Sequence, residues 1–393
     1  MKVQVITPWY PDAASVYLGV FVEQQVHALR AQGVEVDVEV PHLYPARRGP
    51  IPTHLIDAMR QLAERDPYAM FRSAGATTWI PSPVPARSGY AGRSDAFRMG
   101  LSLKREYLES TADVVHAHLA VPTASALLDL ETRPLVVTEH QSTLDLVLAE
   151  PRARELYRRV IDEAAAFMVV STHLRDRLME EFGSGVGERI DVMPNIVDLS
   201  DISFRSDHDR AMRHWVFVGA LIAKKGTRLL VESFAAFRRT AEPEATLTLV
   251  GDGDERAWVE SFARRERISH AITILGAKPR SEIGSHLDRA DVMVHMSPAE
   301  TFGVAALEAI GAGLPVVSLA HGGAVGAWAE IEAIAGSLLP LDSKPTEVSS
   351  AVAALASNPA HLNPQAARDF VVERYSAETV STRLAAIYEQ VRR

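Results

Sequence analysis

The sequence predicts an α/β fold of parallel sheets divided into two domains, and three observations predict it. Short apolar runs alternate along the whole chain with stretches of helical period, as strands joined by crossover helices do. Many of these runs end directly in Gly, Pro, His or Ser, and ligands of open α/β sheets gather outside those strand ends. The length, 393 residues, exceeds what a single hydrophobic core encloses.

Taken in order, the strand candidates of the first half are residues 3–7, 35–40, 114–116, 135–138, 167–171 and 190–193. The first of these follows Met1-Lys2 and reads as a buried strand, because it lacks the longer apolar core of a signal peptide. Residues 41–98 hold many Pro, Arg and Gly residues and read as an insertion in the first domain. A polar stretch at 198–213 follows Pro194-Asn195 and marks a boundary. Beyond it lie strand candidates at 215–219, 246–251, 272–275, 292–295 and 316–319. Residues 376–393 read as an amphipathic helix with Val380, Leu384, Ile387 and Tyr388 on one face.

Composition narrows the classes. Hydrophobic residues make up 47% and charged residues 23%, as in an ordinary globular protein. No run approaches the roughly 20 apolar residues of a membrane span. Cysteine is absent, which excludes disulfides, thiolate nucleophiles and cysteine metal sites. A cytoplasmic location is expected. The net charge of −9 argues against a nucleic-acid partner, which calls for a concentrated basic face.

The densest chemistry lies in Ser297-Pro298-Ala299-Glu300-Thr301-Phe302-Gly303-Val304, with Glu308 and Gly313-Leu314-Pro315 beyond it. Seven residues separate Glu300 from Glu308. Eight helical steps span roughly 12 Å. The paired carboxylates of glycoside hydrolases lie about 5–9.5 Å apart, so this spacing better suits two ends of one long ligand. Phe302, Gly303 and Val304 open a helix whose first amides can face an anion. Upstream, Lys224-Lys225-Gly226 follows a strand and precedes a helix at 227–237. A lysine there can meet a diphosphate as a point charge, although a solvated lysine pair would read the same way. Gly219, Gly251 and the loop holding Lys278 and Arg280 also follow strands. A plain tight turn would account for Gly251 equally well.

In the first half, Pro8-Trp9-Tyr10-Pro11 and Gly19-Val20-Phe21 surround the first strand-to-helix loop. His116, His118 and His140 end two strands. His116 and His118 are read as facing opposite sides of the sheet, with no supporting ligand set, so burial is favoured over a metal site. Asp12, Glu23, Glu139, Asp145 and Glu150 place acids near the same loops. If they converge, the surface favours a cationic acceptor.

These motifs, in this order from Pro8 to Pro315, resemble those of the retaining glycosyltransferases of family 4, whose signature is a pair of glutamates with seven residues between them. The resemblance implies the GT-B fold: two Rossmann-like domains facing across a cleft, with the C-terminal helix crossing back to the first domain. Residues 1–198 plus 376–393 would bind the acceptor and residues 199–375 the nucleotide sugar. It implies transfer of a hexosyl group, such as glucosyl or N-acetylglucosaminyl, from a nucleoside diphosphate sugar to an acceptor hydroxyl. A UDP-sugar is the expected co-substrate, and the anomeric configuration is retained without a metal or further cofactor.

By the same resemblance Glu300, Lys225 and His140 are the catalytic residues. Gly19, Gly219, Lys224, Gly251, Lys278, Phe302, Gly303, Val304 and Glu308 bind the donor. His118, Glu139 and Asp145 are expected to bind the acceptor, which is expected to be small and soluble, with an aminocyclitol of an antibiotic pathway as the candidate. The chain departs from the family pattern at Ala220, where an arginine is usual, and at Val325-Gly326, where Pro-Glu is usual. Three alternatives stay open: a nucleotide-sugar epimerase, a non-catalytic sugar-binding protein, and a transferase with a lipid or polysaccharide acceptor. For a lipid acceptor the arginine-rich residues 152–159 would face the membrane.

Overall fold

The structure, a computed structural model, describes residues 1–11, 18–46, 59–61, 64–65, 73–74, 77–85, 87–108, 110–206 and 211–393. The chain divides into two compact units, Met1–Pro194 with Val380–Arg393, and Asn195–Thr379.

The first unit holds strands β1 (Lys2–Ile6), β2 (Glu35–Ala46), β3 (Ser73–Ala74), β4 (Thr77–Pro85), β5 (Val114–His118), β6 (Leu135–Glu139), β7 (Ala166–Val169) and β8 (Ile190–Val192). They form one sheet in the order β3-β4-β2-β1-β5-β6-β7-β8, parallel except for β3 against β4. The helices are α1 (Val20–Ala31), α2 (Tyr90–Tyr107), α3 (Leu144–Leu148), α4 (Pro151–Glu163) and α5 (Thr172–Phe182). The central strands are buried on both faces, so Val114 with Val115 and Val136 with Val137 are consecutive apolar residues rather than alternating ones.

The expected insertion at 41–98 is corrected where it is described. β2 runs on to Ala46 and pairs with β4, so Pro41, Pro45, Pro81, Pro83 and Pro85 all lie within paired strands. β1 accompanies β2 in register only as far as Glu39. Beyond that residue β2 no longer has β1 alongside, and a proline can leave its missing N–H on the unpaired side. The remainder of that stretch includes residues outside the described set.

In the second unit the strands are β9 (His214–Val218), β10 (Thr246–Val250), β11 (Ile272–Gly276), β12 (Val292–His295), β13 (Val316–Leu319) and β14 (Gly336–Leu339). Their order is β11-β10-β9-β12-β13-β14, all parallel. Counted from β9 this is 3-2-1-4-5-6, the doubly wound order whose ligands sit where the winding reverses, between β9 and β12. The connecting helices are α6 (Thr227–Thr240), α7 (Arg256–Arg265), α8 (Arg280–Asp288), α9 (Val304–Ala312), α10 (Gly322–Trp328), α11 (Glu332–Ala335), α12 (Pro345–Ser357) and α13 (Pro364–Tyr375). Leu230, Val231, Phe234 and Phe237 recur at helical spacing on α6 and are all buried. Trp215 packs between Phe234 and Phe237, with ring centroids 5.5 and 5.1 Å away.

The last helix, α14 (Ala377–Val391), buries Val380, Leu384 and Tyr388 at four-residue spacing. Its residues from Val380 onward belong to the first unit, where the Tyr388 hydroxyl lies 2.7 Å from His116 Nδ1. No helix among the described residues is long and apolar enough to cross a membrane.

Two glycines separate backbone strain from crowding. Gly226 has φ 68°, and a Cβ there would lie 1.8 Å from the Met296 carbonyl oxygen. Gly33 has φ 80° with nothing within 4 Å of that position. Gly33→Ala should therefore cost about 1–2 kcal/mol, the left-handed strain alone. Gly226→Ala should cost about 3 kcal/mol or more, since backbone has to move. Denaturant unfolding of the two variants checks this, and equal losses would refute the crowding at Gly226.

Candidate active site

The reversal of winding in the second unit brings two loops together. The chain leaves β9 through Gly219 at φ 155° and makes a 3-10 turn over Ala223–Lys225. It enters α6 at Gly226, pressed against Met296 on the loop that leaves β12. Ser297 Oγ donates to the Lys224 carbonyl at 3.0 Å and ties the two loops side by side. Lys225 Nζ consequently reaches Glu300 and donates to its Oε1. Gly251 lies one strand over, where a Cβ would stand 1.8 Å from the Gly219 carbonyl oxygen.

Glu300 is mostly buried and sits among cations and imidazoles. His295 Nε2 is 3.7 Å from Glu300 Oε1. Burial opposes ionisation of Glu300, but Lys225, His295 and His321 together outweigh it and hold the carboxyl below its ordinary value. Burial likewise pushes His295 down, to about 4, so its ring is neutral near pH 7.

After Glu300 the chain turns at Gly303, φ 92°, and starts α9, whose first-turn amides have no carbonyl within the helix to bond. The Phe302 ring is buried edge-on against Tyr375, centroids 5.2 Å apart, so it anchors the turn. Gly323 explains the glycine pair of α10. A Cβ there would lie 2.6 Å from the Glu300 carbonyl oxygen and 2.7 Å from the Phe302 amide. His321 caps α10 by accepting from the Ala324 amide at 3.1 Å.

Glu308 lies on α9 and is 5% exposed. Arg280 Nη1 donates to its Oε1. Burial raises the Glu308 carboxyl above its ordinary value, Arg280 opposes this, and Asp198 adds to it. Lys278 instead pairs with Glu282 one helical turn away, at 3.3 Å. Arg280 is thus the residue of that loop that joins the glutamate pair. The sequence offers Arg280 beside Lys278 as a candidate, while the supports His295, Gly226 and Gly323 are members that spacing alone does not single out. The signal for His295 was a histidine closing an apolar strand five residues before Glu300.

The first unit has a comparable reversal, between β1 and β5. Gly19, φ 74°, starts α1 against the Trp9 carbonyl, which a Cβ would approach to 2.0 Å. Phe21 on α1 meets His140, ring centroids 4.5 Å apart. His140 Nε2 lies 2.9 Å from His118 Nδ1. His116 and His118 share one face of β5, with ring centroids 4.4 Å apart, which corrects the opposite-face expectation. Side chains two residues apart in a strand point the same way. His116 spans Tyr388 and Thr138 Oγ1, and burial pushes it down to about 3. Burial, with His116 and His140 alongside, also holds His118 well below the ordinary histidine value. Among the described residues no three His, Asp or Glu side chains are grouped to hold a metal ion.

Of the acids expected to face an acceptor, Glu139 and Glu150 are engaged by backbone amides, while Asp145 stays exposed. Glu139 is fully buried and accepts from the amides of Ala120, His140 and Gln141 and from the Tyr157 hydroxyl. It is a buried brace for the loop carrying His140, not a surface carboxylate. Asp145 pairs with Arg177 at 2.8 Å. Glu150 caps α2 by accepting from the Tyr90 and Ala91 amides. Asp12 lies outside the described residues. Arg152, Arg154, Arg158 and Arg159 of α4 all pair with acids, so α4 offers no unpaired basic face to a lipid surface.

Comparison with known proteins agrees with this architecture. A sucrose-phosphate synthase from Thermosynechococcus elongatus superposes with a TM-score of 0.73 at 17% identity, covering 99% of this chain and 98% of that one. The Anabaena protein HepE, solved with UDP and glucose, superposes with a TM-score of 0.67 at 16% identity, covering 99% and 100%. The fold is GT-B. Residues 18–201 match the family model described as Glycosyltransferase Family 4, and residues 201–373 match Glycosyl transferases group 1. A glycogen synthase of Mycobacterium tuberculosis is 28% identical over 414 aligned positions, covering 100% of this chain and 95% of the relative. The chain belongs to the family 4 glycosyltransferases of GT-B fold.

The buried imidazole of His295 gives the second unit a specific acid sensitivity. Its folded value lies below the unfolded one, so between pH 6.5 and about 4 the unfolded chain binds the extra proton and stability falls as pH falls. His295→Phe should flatten that fall by up to about 1.4 kcal/mol per pH unit. Urea unfolding at pH 7, 6, 5 and 4.5 tests it, and parallel profiles for the variant and the parent would contradict it.

Proposed function

We propose that this enzyme transfers a hexosyl group from a nucleoside diphosphate sugar to an acceptor hydroxyl with retention of anomeric configuration. The observation that carries the proposal is the pairing of Lys225 with Glu300 at the reversal of winding, beside the N-terminus of α9. A cation and free helix amides suit a departing diphosphate, and the adjacent carboxylate suits sugar hydroxyls.

In the proposed step the bond from the anomeric carbon to the phosphate oxygen breaks, and the acceptor oxygen bonds to the same face. The acceptor proton passes to the leaving phosphate oxygen. Lys225 and the amides of Gly303 and Val304 receive the charge that develops on the diphosphate. Before the donor arrives, Lys225 and Glu300 neutralise each other, which lowers the cost of holding either one half-buried. Donor entry then exchanges this pairing for contacts to phosphate and sugar. Glu308 takes the ribose. Gly19 and His140 keep the roles that the family resemblance gives them, and within the first unit His118 lies 2.9 Å from the His140 ring nitrogen. Lys225 and the helix amides supply the positive charge a diphosphate needs, so the proposal calls for no metal.

UDP is the first nucleotide to test, because HepE was solved with UDP and glucose. The likeness to a glycogen synthase makes a glucosyl donor and a sugar hydroxyl acceptor the first pair to screen. Of the acids expected to favour a cationic aminocyclitol, Glu139 and Glu150 are taken up by internal partners while Asp145 stays exposed beside Arg177, so an aminocyclitol remains a second acceptor to screen. The proposed location is the cytoplasm.

A thermal-shift panel of nucleoside diphosphates and their sugars should show selective stabilisation by one nucleotide. Glu300→Ala should keep the fold and lower kcat about a hundredfold or more. Lys225→Ala should weaken nucleoside diphosphate binding about tenfold or more. Normal turnover by folded Glu300→Ala would defeat the assignment. Product formed without any acceptor would point to an epimerase.

A further inference from the structure

Arg280 stands at the first position of α8 and engages its guanidinium in two directions at once. Nη1 donates to Glu308 Oε1, and Nη2 donates to the Asp198 backbone carbonyl at 2.5 Å. Nε faces the Asp198 carboxylate, 3.7 Å from Oδ2. Asp198 is itself fixed, because its Oδ1 accepts from the Ser200 amide at 3.0 Å. A planar fork with both arms engaged has one orientation, which a lysine cannot reproduce.

The consequence falls on Glu308. One of its carboxylate oxygens is held by Arg280, while Oε2 receives no hydrogen bond among the described residues. Glu308 is only 5% exposed, but its Oε2 is not a buried, unpartnered atom, so this oxygen is open to a donor from a ligand. Building on the donor site proposed above, we infer that Arg280 is a positioning residue that sets the specificity of this enzyme for a ribonucleoside, by aiming Glu308 Oε2 at the ribose hydroxyls. The ligand chemistry is a vicinal diol, two hydroxyl donors able to share one carboxylate. Removing the guanidinium would leave a buried carboxyl beside Asp198, the combination that favours its protonated form and weakens it as an acceptor.

Isothermal titration of UDP, ADP and GDP against the intact protein identifies the preferred nucleotide. Its 2′-deoxy and 3′-deoxy forms are then titrated against wild type, Arg280→Gln and Arg280→Lys. Wild type should bind at least one deoxy form about tenfold to a hundredfold more weakly than the parent nucleotide. Arg280→Gln should reduce that discrimination to less than about threefold, within the loss of one charged hydrogen bond. Arg280→Lys, which keeps the charge but not the fork, should fall between the two and decides the matter if the glutamine variant does not fold.

A purely structural arginine would lower the melting temperature and leave the ratio of affinities unchanged. An unchanged ratio in a folded variant therefore overturns the inference while leaving the donor site standing. Absence of discrimination in wild type overturns it as well. Failure of wild type to bind any nucleoside diphosphate overturns the donor site and this inference together.

Discussion

In the second unit the loops leaving β9 and β12 meet through backbone atoms, and the rest of the site depends on that meeting. Gly226 abuts the Met296 carbonyl, Gly251 abuts the Gly219 carbonyl, and Gly323 abuts the chain at Glu300 and Phe302. At each contact a side chain would take the space of a main-chain atom. Three strand ends and two helix starts are thereby held at van der Waals distance. Lys225 can reach Glu300 because nothing bulkier than hydrogen lies between the turns that carry them. The doubly wound order supplies the location, and these contacts supply the tolerance.

Charge is then distributed sparingly. Glu300 and Glu308 are both poorly exposed, and each is given a cation from a different loop, Lys225 for one and Arg280 for the other. The two cations differ in kind. Lys225 is a point charge on a flexible stem, suited to exchanging a carboxylate for a phosphate. Arg280 is a planar fork anchored at two places, suited to staying where it is. One end of the site is thus built to rearrange and the other to remain fixed.

Much of this was legible in the sequence, and the rest was not for identifiable reasons. The alternation of strand and helix, and the two glutamates with seven residues between them, are local patterns that survive in one dimension. The prolines of β2 and β4 masked two paired strands, because proline speaks against a strand unless one knows which neighbour is missing. Lys278 and Arg280 stand two residues apart and look equivalent on paper. What separates them is where Asp198 and Glu308 lie in space. Glu139 follows the same logic. Its sequence position suggests a loop acid beside a histidine, while the fold buries it against three amides and a tyrosine hydroxyl. The shared face of His116 and His118, by contrast, follows from the two-residue period of a strand and could have been read directly.

The return of α14 to the first unit has a consequence for how the polypeptide is made. Val380, Leu384 and Tyr388 fill part of the first unit's interior, and Tyr388 closes the hydrogen bonding of His116. These residues are synthesised after the entire second unit, Asn195–Thr379. The first unit therefore emerges from the ribosome with a gap in its core and waits for the second to be finished. Order of synthesis and order of completion are reversed, and the half made first is the half sealed last.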